Sequence, residues 1–248
     1  MAHHEDYRQW PFLTPEEFEL TCALFDKRYI QAKLGPTRKN FKINTRRTLT
    51  TGTTSIEIIR LLQLPEEEDD LLRQFAKLGG GAPDVSGDIA IDIAMADEEE
   101  DHEALRPAQN VDGTGDGLPQ YSLYSHQPYV TYEIHLHATY RLPTLWFTLH
   151  DIPNGEPSLD IDSVYRYLVP EQYKSQLREV GVTGGISAAN HPVTDVPAFF
   201  IHPCQTKEAM ECYNCPIEEY LMTWVGLVGG CVGLYLPSEM AQAKIGGP

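Results

Sequence analysis

Apolar residues recur at helical spacing near both ends of the chain and alternate with polar ones in between. Near the start, Phe18, Cys22, Phe25 and Tyr29 fall on one helical face. Thr14-Pro15-Glu16-Glu17 sets the start of that helix: an N-cap Thr, Pro at the first helical position and Glu three residues after the cap. Gly35-Pro36 is the predicted stop. Near the end, Ile217, Tyr220, Leu221, Trp224, Val225 and Val228 fall at i, i+3, i+4, i+7, i+8 and i+11, and Gly229-Gly230 ends the run. Leu234-Tyr235-Leu236-Pro237 is then expected to be extended.

Between these helices the period changes to two. Val130, Tyr132, Ile134 and Leu136 alternate with Thr131, Glu133, His135 and His137, which predicts a strand with one polar face. Thr144–Leu149 is its predicted hairpin partner across Leu142-Pro143. Phe41–Leu49 reads as an earlier strand, with Ser55–Leu62 as a partner that helix would also suit. Ser158–Leu168 reads as a helix, Gly181–Asn190 as a Gly/Ser-rich loop, and Phe199-Phe200-Ile201 as a short strand. No internal repeat is visible. The order helix, antiparallel strands, helix predicts an α+β two-layer fold.

Charge changes this picture in one segment. The chain has 248 residues and a formal net charge of −17. Residues 63–117 hold 16 of the 36 acidic residues and 3 of the 19 basic ones, a net of −13, so the remainder carries only −4. With Gly79-Gly80-Gly81 and few apolar side chains, such a stretch buries too little surface to offset its ordering entropy. It reads as a disordered acidic insertion at about 63–120 in a single domain spanning 1–248. The acidity argues against nucleic acid as a partner. No apolar run reaches the length of an integral membrane segment, and the N-terminus lacks the pattern of a secretory signal. A cytoplasmic location with reduced cysteines is the expectation.

The candidate chemistry centres on His202-Pro203-Cys204, which follows the apolar Phe199-Phe200-Ile201 and precedes a potential helix at Gln205–Met210. Pro203 fixes its own φ and pushes His202 to an extended conformation, so the chain leaves the strand stiffly. A helix beginning just after Cys204 would lower its thiol pKa. Cys204 is therefore a candidate nucleophile, with a structural thiol as the alternative. Cys22 and Cys231 are expected in the core. Cys212-x-x-Cys215 is half of a metal or redox motif without a second half, and a loop explains it. His135-x-His137, with His150 and Asp151, offers metal-ligand spacing, and solvated polar-face histidines are the simpler reading. No metal and no cofactor is expected, and Gly184-Gly185 fits no phosphate-binding motif.

Taken together, these residues resemble a family. Asn190-His191-Pro192, Pro197, Phe199-Phe200-Ile201 and His202-Pro203-Cys204 are similar to the site region of the autophagy E2-like conjugating enzymes. The strand pair Tyr132-Glu133-Ile134-His135 and Leu142-Pro143-Thr144-Leu145-Trp146-Phe147 resembles theirs as well. The tail, Tyr220-Leu221-x-x-Trp224-x-x-Leu227-Val228-Gly229 and then Val232-Gly233-Leu234-x-Leu236-Pro237, favours the autophagy-related protein 10 branch over that of autophagy-related protein 3. The resemblance implies an E2-like fold, an antiparallel sheet with flanking helices. It implies a transferase that holds a ubiquitin-like modifier, autophagy-related protein 12, as a thioester on Cys204. The modifier would come from the E1-like autophagy-related protein 7 and pass to a lysine of autophagy-related protein 5. The His-Pro-Asn motif of ubiquitin E2 enzymes is absent, and Asn190 and His202 are the substitutes by proximity, with Tyr132 or Tyr140 shaping the site. Two other readings stay open at this point: a cysteine hydrolase pairing Cys204 with His191 or His202, and a non-catalytic adaptor that docks through its acidic insertion.

Overall fold

In a computed structural model, the described residues are 7, 9–48, 52–62, 127–153, 157–180, 185–203, 206–213 and 215–243. The acidic insertion predicted at 63–120 lies outside them. The elements run α1 (Pro15–Gln31), β1 (Phe41–Arg47), β2 (Thr54–Leu61), β3 (Tyr129–Leu136), β4 (Pro143–His150), α2 (Ile161–Tyr167), α3 (Glu171–Val180), β5 (Ile186–Asn190), β6 (Pro197–Ile201), α4 (Thr206–Glu211), α5 (Tyr220–Val228) and α6 (Ser238–Gln242). Six strands form one antiparallel sheet in the order β1-β2-β3-β4-β6-β5. With helices flanking it, this is the α+β architecture expected from the alternation of periods. No helix among the described residues is long and apolar enough to cross a membrane.

Local chemistry explains each element that positions the site. α1 begins with the expected capping box: the Glu17 N–H donates to Thr14 Oγ1, and the Thr14 N–H donates to Glu17 Oε2. The strands pair in a register that puts Ile43, Ile58, Tyr132 and Phe147 side by side, with Ile56, Ile134, Leu145 and Ile201 on a neighbouring row. This inner face joins Phe18, Cys22 and Phe25 of α1 and Tyr220, Leu221, Trp224 and Val225 of α5 in one buried cluster. Burying each such side chain contributes about 1.5–3 kcal/mol, so the sheet and the two helices of apolar stripe hold one another.

Three predictions from sequence are corrected here. Residues 186–190, read as loop, form edge strand β5, because Ser187, Ala188 and Ala189 pair with Phe200, Phe199 and Ala198 of β6. The helix read over Ile217–Val228 starts with a 3-10 turn, Ile217–Glu219, before α5. The extended segment Leu234–Pro237 runs on into α6, and α3 had no strong apolar stripe to announce it.

The outer face of the sheet is not solvated throughout. β6 pairs with β4 over only Leu145–Phe147, and the β5–β6 hairpin then leaves the sheet plane. In a flat sheet His191, one rung beyond Asn190–Pro197, would lie level with His150. Instead its ring lies 5.3 Å from Trp146 and 4.9 Å from His135. The hairpin thus crosses the outer face at Trp146, Glu133 and His135, and Ser55, Glu57, Thr131 and Thr144 of that face are buried as well.

Polar contacts hold the crossing. Glu133 Oε2 lies 3.1 Å from His135 Nε2 and 3.5 Å from His191 Nε2. The latter is close enough for attraction but is not aligned as a hydrogen bond. Burial pushes the Glu133 carboxyl up, yet the His135 hydrogen bond and the His191, His135 and Arg46 charges outweigh it and hold it below its ordinary value. Burial pulls the His191 imidazole down, more than Glu133 raises it.

Two outcomes test this packing. His191 has a folded pKa below its ordinary 6.5, so the unfolded chain takes up the proton first and stability is lost as pH falls through that value. The melting temperature is expected to drop between about pH 7 and 5, and His191→Asn to shallow that drop; parallel profiles for the two proteins would refute the assignment. Gly233 sits at φ +67°, and a Cβ there would meet the Leu168 carbonyl oxygen at 2.6 Å. Gly233→Ala is expected to lower the stability seen in denaturant titration by about 1–3 kcal/mol.

Candidate functional site

β6 delivers the tripeptide. Its residues alternate, so Phe199 and Ile201 face the core while Phe200 faces outward and stacks on Trp146, 4.7 Å between ring centroids. His202 continues on the Phe200 side, with the two ring centroids 6.2 Å apart. Pro203 follows in a buried 3-10 position, and α4 opens at Thr206. Cys204 and Gln205 lie outside the described residues, so Cys204 is located by its peptide bond to Pro203. α4 has six residues, less than two turns, the length read from the sequence at Gln205–Met210.

The β3–β4 turn meets this end of β6. Leu145 pairs with Ile201, so the turn at 137–142 lies beside His202. Tyr140 presents its ring to His202 edge-on, at 5.7 Å and 72°. The His137 ring also packs against Tyr140, at 4.7 Å. Burial, and then the nearby His202, hold the His137 imidazole below its ordinary value. The result is a partly open cluster of two imidazoles and a phenol, in which His202 stands two residues before Cys204 in the chain.

The other residues named from sequence are placed differently. Tyr132 is fully buried on the opposite, core face, where its hydroxyl donates to the Val232 carbonyl at 2.7 Å, and burial pushes its pKa up to about 12. It is a packing residue that ties β3 to the Val232-Gly233 turn, not a side chain of the His202 face. Asn190 sits on the last rung of the β5–β6 hairpin, opposite Pro197, and its amide donates to Asp195 at 3.1 Å. His202 follows the first rung, Ile186–Ile201, which puts it five residues or about 16 Å away along the strand. His191 is buried beneath the hairpin loop, committed to Glu133 and His135, not poised for a thiol.

The metal readings resolve into geometry. His135, His137 and His150 are not gathered: His135 faces Glu133, His137 turns to Tyr140, and His150 stacks on Tyr129 at the other end of the hairpin. Glu133, His135 and His191 do bring ligand atoms within 4.8 Å of one another. Yet His191 Nδ1 accepts the N–H groups of Val193 and Thr194 at 3.4 Å each. That puts the ring proton on Nε2 and leaves it no lone pair for a cation. Cys212 is exposed while Cys215 is buried, so the two thiols of that pair do not face one environment. Cys22 is fully buried, as its place on the helical stripe predicts. Cys231 is half-buried with its thiol donating to the Val228 carbonyl at 3.1 Å, and burial pushes its pKa up to about 11.

The cluster that sequence reasoning underrated is the turn. Tyr140 was considered and His137 was read only with His135, because the two-residue strand period hides a change of direction at Leu136. The signal was Ala138-Thr139-Tyr140, a break in alternation before Leu142-Pro143.

Comparison with known proteins now bears on this site. The family profile described as "Autophagocytosis associated protein, active-site domain" matches residues 17–239. The chain is 43% identical over 243 residues to the Ubiquitin-like-conjugating enzyme ATG10 of Gibberella zeae, covering 94% of this chain and 97% of that protein. It is 30% identical over 166 residues to the protein of the same name from Arabidopsis thaliana, covering 63% of this chain and 66% of the relative. With the one from Homo sapiens it shares 32% over 123 residues, covering 46% and 54%. These matches decide between the readings left open by sequence, against the hydrolase and the adaptor. The chain belongs to the autophagocytosis-associated active-site domain family, in its ATG10 branch of E2-like ubiquitin-like-conjugating enzymes.

Proposed function

We propose that this enzyme carries autophagy-related protein 12 as a thioester on Cys204, receives it from the E1-like autophagy-related protein 7, and transfers it to a lysine of autophagy-related protein 5. The observation that carries the reading is the pairing of Tyr140 with His202, two residues before Cys204, within a chain that matches the family over 17–239.

Each step balances. The Cys204 thiolate attacks the modifier's C-terminal carbonyl on the E1 cysteine, the new C–S bond forms, and the E1 thiolate leaves. The acceptor lysine then attacks the same carbonyl as a neutral amine. A tetrahedral oxyanion forms, the C–S bond breaks, and Cys204 departs as thiolate while the amine loses its proton. The energy stored in the thioester was supplied by the E1, so the second step needs no nucleotide. What it needs is a donor for the oxyanion and a path for the amine proton. The Tyr140 hydroxyl is the proposed donor, and His202 the proposed orienting partner and proton acceptor. Asn190, a candidate by sequence proximity, and Tyr132, a candidate from the hairpin, contribute at a distance: Asn190 braces the hairpin through Asp195, and Tyr132 fixes β3 to Val232.

Incubation with the E1, ATP and modifier tests the reading. Wild type is expected to form a thiol-sensitive adduct, Cys204→Ala none, and Cys204→Ser a stable ester. Tyr140→Phe and His202→Ala are expected to charge normally and to slow discharge to lysine by about 10–100-fold, the range of a lost oxyanion donor or general base. Adduct formation by Cys204→Ala would sink the proposal, and normal discharge by both other variants would remove Tyr140 and His202 from it.

A further inference from the structure

We infer that His137 is a positioning residue for lysine transfer, holding the β3–β4 turn so that Tyr140 faces His202. The inference rests on the proposed thioester chemistry, and takes its own evidence from the turn.

The turn is built around the His137 side chain. Its Nδ1 accepts two backbone N–H groups, from Thr139 and from Tyr140, each at 3.2 Å. These are the N–H groups that the turn's own carbonyls do not take: His137 N–H donates to Leu142 O and Arg141 N–H to His137 O. The side chain therefore does for this turn what an N-cap does for a helix. It can do so only while Nδ1 is unprotonated, a state that burial and the neighbouring His202 favour. The far end of the turn is fixed separately. Arg141 takes φ +53°, its carbonyl accepts the Leu13 N–H at 2.9 Å, and its Nε donates to the Leu13 carbonyl at 3.3 Å. Between these two anchors, Tyr140 has its backbone N–H bound to His137 and its ring in contact with both the His137 and His202 rings. Tyr140 is 42% exposed, so little else packs it into place. His137 thus acts through Tyr140 and need not touch the modifier or the acceptor lysine.

The reach of the side chain supplies the test. Asn places its Oδ1 as far from the backbone as His places Nδ1, and can accept the same two N–H groups, as in an Asx turn. Gln sets its oxygen one bond further out, and Ala has no acceptor. Full-length enzyme is charged with modifier by its E1, the E1 is quenched, and discharge to lysine is followed in a single turnover. His137→Ala and His137→Gln are expected to charge like wild type and discharge about fivefold slower, the population change that loss of one cap produces. His137→Asn is expected to discharge near the wild-type rate. In a Tyr140→Ala background, adding His137→Ala is expected to slow discharge no further, because its effect passes through Tyr140. Wild-type discharge by His137→Ala, equal slowing by His137→Asn and His137→Ala, or a full further loss in the double variant would overturn the inference. Failure of the wild type to charge at all would instead strike the proposed function.

Discussion

Three rungs between β4 and β6, Leu145–Ile201 to Phe147–Phe199, decide where the chain's chemistry sits. They are the only ladder joining the site strand to the body of the sheet among the described residues. Their alternation sends Phe199 and Ile201 into the core and Phe200 and His202 to the outer face. A slip of one residue would exchange those faces and put His202 into the core. The register is held against that slip by stacked aromatics on both sides, Phe147 on Phe199 at 5.6 Å and Trp146 on Phe200 at 4.7 Å. The ladder is short because β6 must bend away from β4, and the bend is what lets the β5–β6 hairpin fold over the sheet.

That crossing meets a face that buries polar residues. Glu57 is 4% exposed and accepts from Arg46 at 2.8 Å and Asn44 at 3.2 Å. Glu133, a few ångströms along the face, takes His135 and His191. A buried carboxylate would be costly alone; Glu57 has Arg46 and Asn44 of β1, and Glu133 has His135 of its own strand and His191 of the hairpin loop. The arrangement gives the hairpin a single seat, since moving His191 away strips Glu133 of one partner while leaving its charge half-buried. Apolar contact would pull the hairpin down anywhere on the face, whereas these partners fix where its loop rests.

Much of the fold was legible because its packing writes a period into the chain. α1 carries both a cap and an apolar stripe, and β3 alternates over eight residues, so neither needs the rest of the protein to be read. β5 was lost for the opposite reason. Ile186-Ser-Ala-Ala-Asn190 has one buried residue in five and becomes a strand only because β6 offers it a ladder. The tripeptide was legible by its residue types, and Tyr140 was legible as a hairpin residue beside the site, but its contact with His202 was not, since that depends on the β4–β6 register. Sequence proximity pointed also to Asn190, which the hairpin carries to its far end, and the β3–β4 hairpin offered Tyr132, which the strand alternation buries.

The placement of imidazoles also bears on how the cysteine works. A strong dipole at α4 would favour the thiolate, but a helix of six residues offers little of it. The shortfall costs less than it first suggests. Acyl exchange asks the same sulfur to attack in one step and to leave in the next. Nucleophilicity falls with thiol pKa while leaving ability rises, so the best compromise lies near ambient pH, not far below it. In the proposed reaction, what the second step lacks without a strongly acidic thiol would be made up by stabilising the oxyanion and accepting the amine's proton. Tyr140 and His202 are one exposed and one half-exposed group on a rigid turn and a rigid strand end, reachable by an incoming lysine. A site that relies on such groups more than on the thiol's own pKa places its selectivity in the transfer step. There, on the proposed assignment, an acceptor would have to bring a neutral lysine past the Tyr140 ring before the thioester could be spent.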